Sequence, residues 1–338
     1  MTDRSSNSPG PPGIFGTDPA PCREIELAAV DLADRTLVIS PAGDFSRLLA
    51  AVKEVGLLAL PWLRQQEGGR WQVVAGLKRL KAAAHLGWKR LPARTLPADA
   101  PDSQCLLIGL YDNAFSRSFS LREQAAWAQR LLTHWDRPTV ATRFLPLLGL
   151  PASPAHLERL LALATLEEPF QELAAGGRLA LTAGASLSRW TPEDRAAALP
   201  FLTKLWLSQS KQEQFVEEVA RLARREGVGI GALLARRELQ ESLLEGGLSL
   251  QERTERVRRT LEGWVSPRLS AAREAYQSAL GSLGLARHPR VLLQPPPAFE
   301  GPDFHLEIKF RDGPELQELL KELARLTEEE EFAALTRG

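Results

Sequence analysis

The run Trp71-Gln72-Val73-Val74-Ala75-Gly76-Leu77-Lys78-Arg79-Leu80-Lys81-Ala82-Ala83 constrains the fold more than any other stretch of this chain. A short apolar run of strand character stops at Gly76, and helical spacing starts at once with Lys78 and Arg79 in its first turn. The first amides of a helix have no internal partners, and the helix dipole is positive at that end. Two cations there are unfavourable unless an anion sits among them, so the segment predicts a strand, a glycine and a helix whose N-terminus holds a phosphate group. A surface helix that simply begins with basic residues is the reading the residues leave open beside it.

The flanking sequence extends this pattern. Glu24–Leu32 alternates in the manner of a strand, and Phe45–Val55 has helical spacing that stops at Gly56. Leu57–Leu63 and Trp71–Val74 lie on either side of Glu67-Gly68-Gly69, as paired strands would. A helix over Leu77–Leu86 closes at Gly87, a strand is expected near Arg90–Leu96, and a helix from about Ser103 to Asn113. From Ser120 the character changes. Ser120 and Glu123 form an N-cap signature for a helix over Leu121–Trp135, and helical periodicity continues to about Trp264, broken at Pro138, Gly149, Gly176-Gly177 and Pro192. A helix over Pro267–Leu283, strands at Val291–Leu293 and Phe304–Phe310, and an amphipathic helix over Glu315–Leu326 end the pattern; the run Glu328–Glu331 reads as a solvated tail.

Composition narrows the function classes. The 338 residues are 44% apolar and 25% charged, an ordinary globular balance, with 42 basic and 42 acidic side chains and no net charge. Nothing in the overall balance favours wrapping nucleic acid, although a local basic patch is compatible with it. Cys22 and Cys105 stand far apart without histidines at ligand spacing, so neither a zinc site nor a disulfide framework is expected. His85, His134, His156, His288 and His305 are scattered. No apolar run is long enough for a membrane span and no secretory pattern opens the chain, so a cytoplasmic location is expected. Residues 1–22, rich in Ser, Pro and Gly, read as a tail.

The glycine-and-cation box resembles the Gly-Glu-Arg-Arg box of the ParB family of partition proteins. Two further segments are similar to that family in the same order. Glu54-Val55-Gly56-Leu57-Leu58-Ala59-Leu60-Pro61-Trp62 is similar to its glycine-to-proline stretch, and Leu107-Ile108-Gly109-Leu110-Tyr111-Asp112-Asn113 to its helix ending in Glu-Asn, before the helix opening at Ser120-Leu121-Arg122-Glu123. The resemblance implies a domain that binds CTP with magnesium: Gly76, Lys78, Arg79 and Pro61 at the nucleotide, Asp112 and Asn113 as oxygen ligands of the metal, and slow CTP hydrolysis. Departures are visible. Leu77 stands where the family usually has Glu, Lys78 where it usually has Arg, and Phe115-Ser116 replaces the usual Gln-Arg, with Arg117 one place late.

Past Ser120 the resemblance runs into the family's helix-turn-helix region. It places a recognition helix at Pro154–Leu163 with Ser153 as N-cap, and Ser153, His156, Arg159 and Arg143 as candidate DNA contacts. The family's usual basic positions fall on Ala152, Pro154 and Ala162, so structural scaffolding competes with operator reading. Arg122, Arg130, Arg137 and Arg143 offer contacts to phosphates that need no base code. The expected architecture is an α+β ParB-like nucleotide-binding domain over 23–118, an all-α helix-turn-helix-like region over 119–264, and a small α+β C-terminal module over 265–338 suited to dimerisation. The function implied is a nucleotide-regulated, DNA-binding or partition-type protein, homodimeric and nucleoid-associated. Only Arg4 is cationic in the tail, which gives weak support to a ParA-type ATPase partner. A ParB-fold scaffold for protein partners and a nucleotide-dependent small-molecule kinase of the same superfamily are the alternatives.

Overall fold

The computed structural model describes residues 20–39 and 45–336, so the expected tail lies outside them as far as residue 19. The chain divides into two compact units, Met1–Thr191 and Pro192–Gly338.

The first unit is built on a mixed sheet. Its strands are β1 (Cys22–Glu26), β2 (Val30–Asp31), β3 (Trp62–Gln65), β4 (Trp71–Ala75) and β5 (Arg90–Leu96), in the order β1-β5-β3-β4-β2. β1 pairs antiparallel with β5 and β3 antiparallel with β4, whereas β3–β5 and β2–β4 are parallel. The expected strand at Glu24–Leu32 is split by a 3-10 turn at Leu27–Ala29, and β2 pairs through only Val30 and Asp31. The expected run Leu57–Leu63 becomes strand only from Trp62.

Helices α1 (Ser46–Val55) and α2 (Leu77–His85) pack together, and α2 turns Leu77, Leu80 and Ala83 into a core with Ile25, Leu63, Val73 and Leu91. Residues three apart share a helix face, which is why this face is the apolar one. Leu77 is therefore a core residue. Its place in the box, where the resemblance expects Glu, is explained by burial.

Gln72 and Val74 alternate with Val73 along β4 and meet helix α3 (Asp102–Ala114). Gly109 permits this approach: a Cβ there would lie 3.2 Å from the Val74 carbonyl oxygen and 3.4 Å from the ring of Trp127. A side-chain network fastens the same region. The Arg64 guanidinium donates to Gln72 Oε1, to the Ala100 carbonyl at 2.8 Å and to Asp102 Oδ1 at 2.7 Å. Gln72 Nε2 in turn donates to Asp34 Oδ2 at 2.6 Å.

Helix α4 (Leu121–Leu131) opens on the capping box expected from Ser120 and Glu123, and its expected continuation to Trp135 relaxes into turns. Beyond it come a short turn α5 (Arg137–Thr139), a π turn at Val140–Phe144 and a 3-10 turn at Pro146–Leu148. Proline has no N–H and crowds the carbonyl four residues back, so the hydrogen-bond ladder widens ahead of Pro146. Leu145 N–H accordingly reaches Val140, at 3.1 Å. Helices α6 (Pro154–Ala164), α7 (Glu168–Ala175) and α8 (Leu181–Leu187) complete the unit, with α6 buried through Leu157, Leu160 and Leu163.

In the second unit α9 (Pro192–Lys204), α10 (Gln209–Glu226), α11 (Ile230–Leu234), α12 (Arg237–Leu244), α13 (Leu250–Val265) and α14 (Pro267–Ser282) precede a two-stranded antiparallel ribbon. Its strands are β6 (Val291–Gln294) and β7 (His305–Ile308), followed by α15 (Gly313–Leu326) and α16 (Glu330–Thr336). Tyr276, Leu280, Val291, Leu293, Leu319 and Leu323 form the core of this end of the chain. The run Glu328–Glu331, expected as a solvated tail, leads instead into α16, whose Phe332 and Leu335 pack on that core.

Candidate nucleotide pocket

β4 ends at Ala75, and Gly76 reverses the chain into α2 with φ of 85°, a conformation that favours glycine. A Cβ at Gly76 would lie 3.0 Å from both Cα and Cβ of Pro61. Buried Pro61 thus braces the turn from beneath and does not line the cavity beside it.

That cavity, of about 380 Å³, opens between the N-terminus of α2 and the C-terminal half of α3. Its size lies at the lower end of ordinary ligand pockets. Its wall includes Leu37–Ile39 as well as Gly76, Lys78, Arg79, Asp112, Asn113, Arg117, Glu123 and Trp127. The structure therefore brings together five expected site residues, Gly76, Lys78, Arg79, Asp112 and Asn113.

The pocket's charges are mostly matched within the protein. Arg79 Nη2 donates to Asp112 Oδ2 at 2.6 Å and Nη1 to the Leu60 carbonyl at 3.0 Å, fixing α2 to α3 and to the 59–60 segment. Asn113 Nδ2 donates to the Gly109 carbonyl at 2.8 Å, and Asn113 Oδ1 accepts from Arg117 Nε at 3.0 Å. Arg117 Nη2 also lies 2.7 Å from Glu123 Oε1, an ion-pair contact without the alignment of a hydrogen bond. Among the described residues, Lys78 is the pocket cation with neither an ion pair nor a side-chain hydrogen bond.

Arg117, Glu123, Trp127 and Leu37–Ile39 are pocket residues that sequence reasoning did not select. Arg117 carried a signal as the motif arginine one place late, and Glu123 as a capping residue that serves both purposes. Trp127 is buried, and its indole N–H has no acceptor among the described residues.

Burial pushes the Glu123 carboxyl up, but the Arg117 guanidinium and the Ser120 donors outweigh it and hold the pKa below the usual range. A carboxyl with a depressed folded pKa stabilises the fold above its unfolded value, and that stability is lost as pH falls through the folded value. Urea-melt stability is thus expected to drop on acidification below about pH 4.5. Glu123→Gln should flatten this acid limb in part, the remainder coming from groups such as Asp34. For Asp34 burial again acts upward, and the Thr36 and Gln72 hydrogen bonds again prevail. An unchanged acid limb in the variant would show that Glu123 is not so held.

The donors fit magnesium poorly. Asp112 is matched by Arg79, both polar ends of the Asn113 amide are engaged, and Glu123 is occupied by Ser120 and Arg117. Among the described residues no group of three or more His, Cys, Asp or Glu could hold a metal ion.

The candidate DNA contacts lie apart from this pocket. Ser153 occupies the N-cap position of α6 without donating or accepting a side-chain cap bond, and Pro154 opens the helix as expected. His156 is half-buried with Nδ1 lacking a partner, Arg159 is half-buried, and Arg143 is exposed against the Phe144 ring. Two of the arginines expected to reach phosphates are already paired, Arg122 with Glu168 at 2.6 Å and Arg137 with Glu158 of α6.

No family model matches the chain. Nucleoid occlusion proteins, which are ParB-family members, from Bacillus thuringiensis (strain Al Hakam) and Bacillus mycoides (strain KBAB4) are each 27% identical to it over 85 residues. Over that stretch the chain is similar to these ParB-family proteins. The match covers 25% of this chain and 29% of each relative, so it spans under a third of their length. Solved structures similar to it include the C-terminally truncated ParB of Caulobacter crescentus bound to the centromeric parS site, at 17% identity and a TM-score of 0.37 over 58% of this chain and 99% of that one. The same protein with CTP-γ-S gives 21% identity and a TM-score of 0.25 over 54% and 99%. A Pnob8-like ParB-N domain gives 12% and 0.35 over 73% and 98%.

Proposed function

We propose that this chain is a ParB-like, nucleotide-regulated partition-type protein whose pocket takes CTP. The observation that carries the reading is Lys78. It is a pocket cation with neither an ion pair nor a side-chain hydrogen bond among the described residues, one residue into a helix whose free amides and dipole attract anions. Gly76 brings the backbone close to the phosphate, Lys78 supplies charge, and Arg79 lies beside them in its pair with Asp112.

Leu77, held in the core, offers no carboxylate at the position where the resemblance expects one. The pocket is therefore read as a binding site, with no phosphoryl-transfer step. The remaining proposals follow the resemblance: nucleotide binding over 23–118, DNA association over 119–264 through Ser153, His156, Arg159 and Arg143, homodimerisation through 265–338, and a nucleoid-associated location.

A second reading has its own support. The pairing of Arg122 and Arg137 with glutamates removes cations that DNA phosphates would need, which favours a scaffold for protein partners.

Calorimetry tests the first reading. Titration of CTP, then ATP, into the full chain is expected to give saturable CTP binding. No heat with either nucleotide, together with unchanged thermal stability, would overturn it in favour of the scaffold, because a ligand that binds only the native state must stabilise it.

A further inference from the structure

The cavity wall carries three cations, Lys78, Arg79 and Arg117, against two carboxylates, Asp112 and Glu123. Each carboxylate already faces a protein cation, Asp112 through Oδ2 and Glu123 through Oε1, while Glu123 Oε2 accepts from Ser120. Asp112 faces Arg79 at 2.6 Å, and Glu123 faces Arg117 at 2.7 Å and the Ser120 amide at 3.0 Å. Magnesium binds through carboxylate, carbonyl and water oxygens. Here the one oxygen of the Asn113 amide already accepts from Arg117, and its nitrogen is turned to Gly109. A divalent ion beside Asp112 would stand next to the Arg79 guanidinium, in a pocket whose lining charges already sum to a positive excess. Like charges at such range repel strongly where water is scarce, and Arg79 and Asp112 are only 20% and 17% exposed.

The same geometry assigns Asp112 an opposing role. Arg79 directs one nitrogen to Asp112 and another to the Leu60 carbonyl, so a phosphate that needs this guanidinium must compete with Asp112. The order of forces is plain: the ligand gains Lys78 and the helix amides without displacement, and gains Arg79 only by breaking an existing charge-assisted hydrogen bond.

We propose that the pocket holds its phosphorylated ligand with the protein's own cations and without a divalent metal, and that Asp112 weakens binding by holding Arg79. Asp112 is on this account a positioning residue acting through Arg79. The inference rests on the nucleotide reading above and goes beyond it in metal requirement and in the sign of the Asp112 effect.

The experiment is calorimetric titration of CTP into the full-length wild type and Asp112→Asn, each with EDTA and again with excess magnesium. Wild-type affinity is expected to agree within about two-fold between the two conditions. Asp112→Asn is expected to bind about ten-fold more tightly in both, the size of one charge-assisted hydrogen bond made available to the ligand. A metal ligand would behave in the opposite way, with the variant weaker and the loss confined to magnesium. Wild-type binding seen only with magnesium, or weaker binding by Asp112→Asn, overturns the inference while leaving the nucleotide reading intact. No CTP binding in any condition overturns both. The wild-type comparison needs no variant to fold, so the metal question is decided even if Asp112→Asn does not.

Discussion

Lys78→Ala is expected to weaken CTP binding about 10- to 100-fold while leaving the melting temperature of the empty protein unchanged. The fold-change corresponds to the loss of one hydrogen bond between charged groups, about 1.5–3 kcal/mol. Stability should be indifferent because, among the described residues, the ammonium makes no ion pair or side-chain hydrogen bond that the substitution would break. Arg79→Ala gives the contrast. It removes bonds to Asp112 and to the Leu60 carbonyl and leaves a largely buried carboxylate without its partner, so it should lower the melting temperature as well. Calorimetry paired with thermal melts separates the two. If Lys78→Ala binds like wild type, the α2 N-terminus is not the phosphate site.

Gly76→Val is expected to destabilise the first unit by about 2–4 kcal/mol, from a strained backbone and an over-packed contact acting together. The contact falls on Pro61 Cα, a backbone atom that cannot swing aside, and on its Cβ, each 3.0 Å from the new Cβ. Gly87→Ala isolates the backbone component. Gly87 also has a positive φ, 76°, but open space surrounds it, so only the backbone strain should act there, costing about 1 kcal/mol of stability. Urea denaturation of both variants measures the difference. Equal losses at the two positions would mean that Pro61 does not brace the turn.

Much of this was legible in the sequence where the signal is local. The step from Ala75 through Gly76 into α2, the stop of α1 at Gly56, the Ser120 capping box and the helix opening at Pro154 depend on a few neighbouring residues, and each stands where expected. The pocket was legible only in part, because half of its wall comes from residues distant in the chain. Nothing in Leu37–Ile39 marks them as facing Lys78, and nothing around Trp127 marks its ring as meeting Gly109. Arg117 follows the expected motif one place late, and it is the helical end of α3 that turns it back to Asn113 and Glu123. The pairing of Arg79 with Asp112 joins two residues correctly placed in the pocket, yet a sequence cannot show that they satisfy one another.

The network around Arg64 separates two properties of the pocket, its shape and its attraction for anions. β2 has only two residue pairs with β4, so the segment after it is held largely by side chains: Asp34 to Gln72, and Gln72 to Arg64. The Arg64 side chain is only 12% exposed, and buried charges of this kind are screened little by ions. Lys78, open to the cavity and without a partner among the described residues, has no such protection. Rising ionic strength should therefore release the nucleotide while the wall that frames it stays fastened, and dilution alone should restore occupancy without any refolding step.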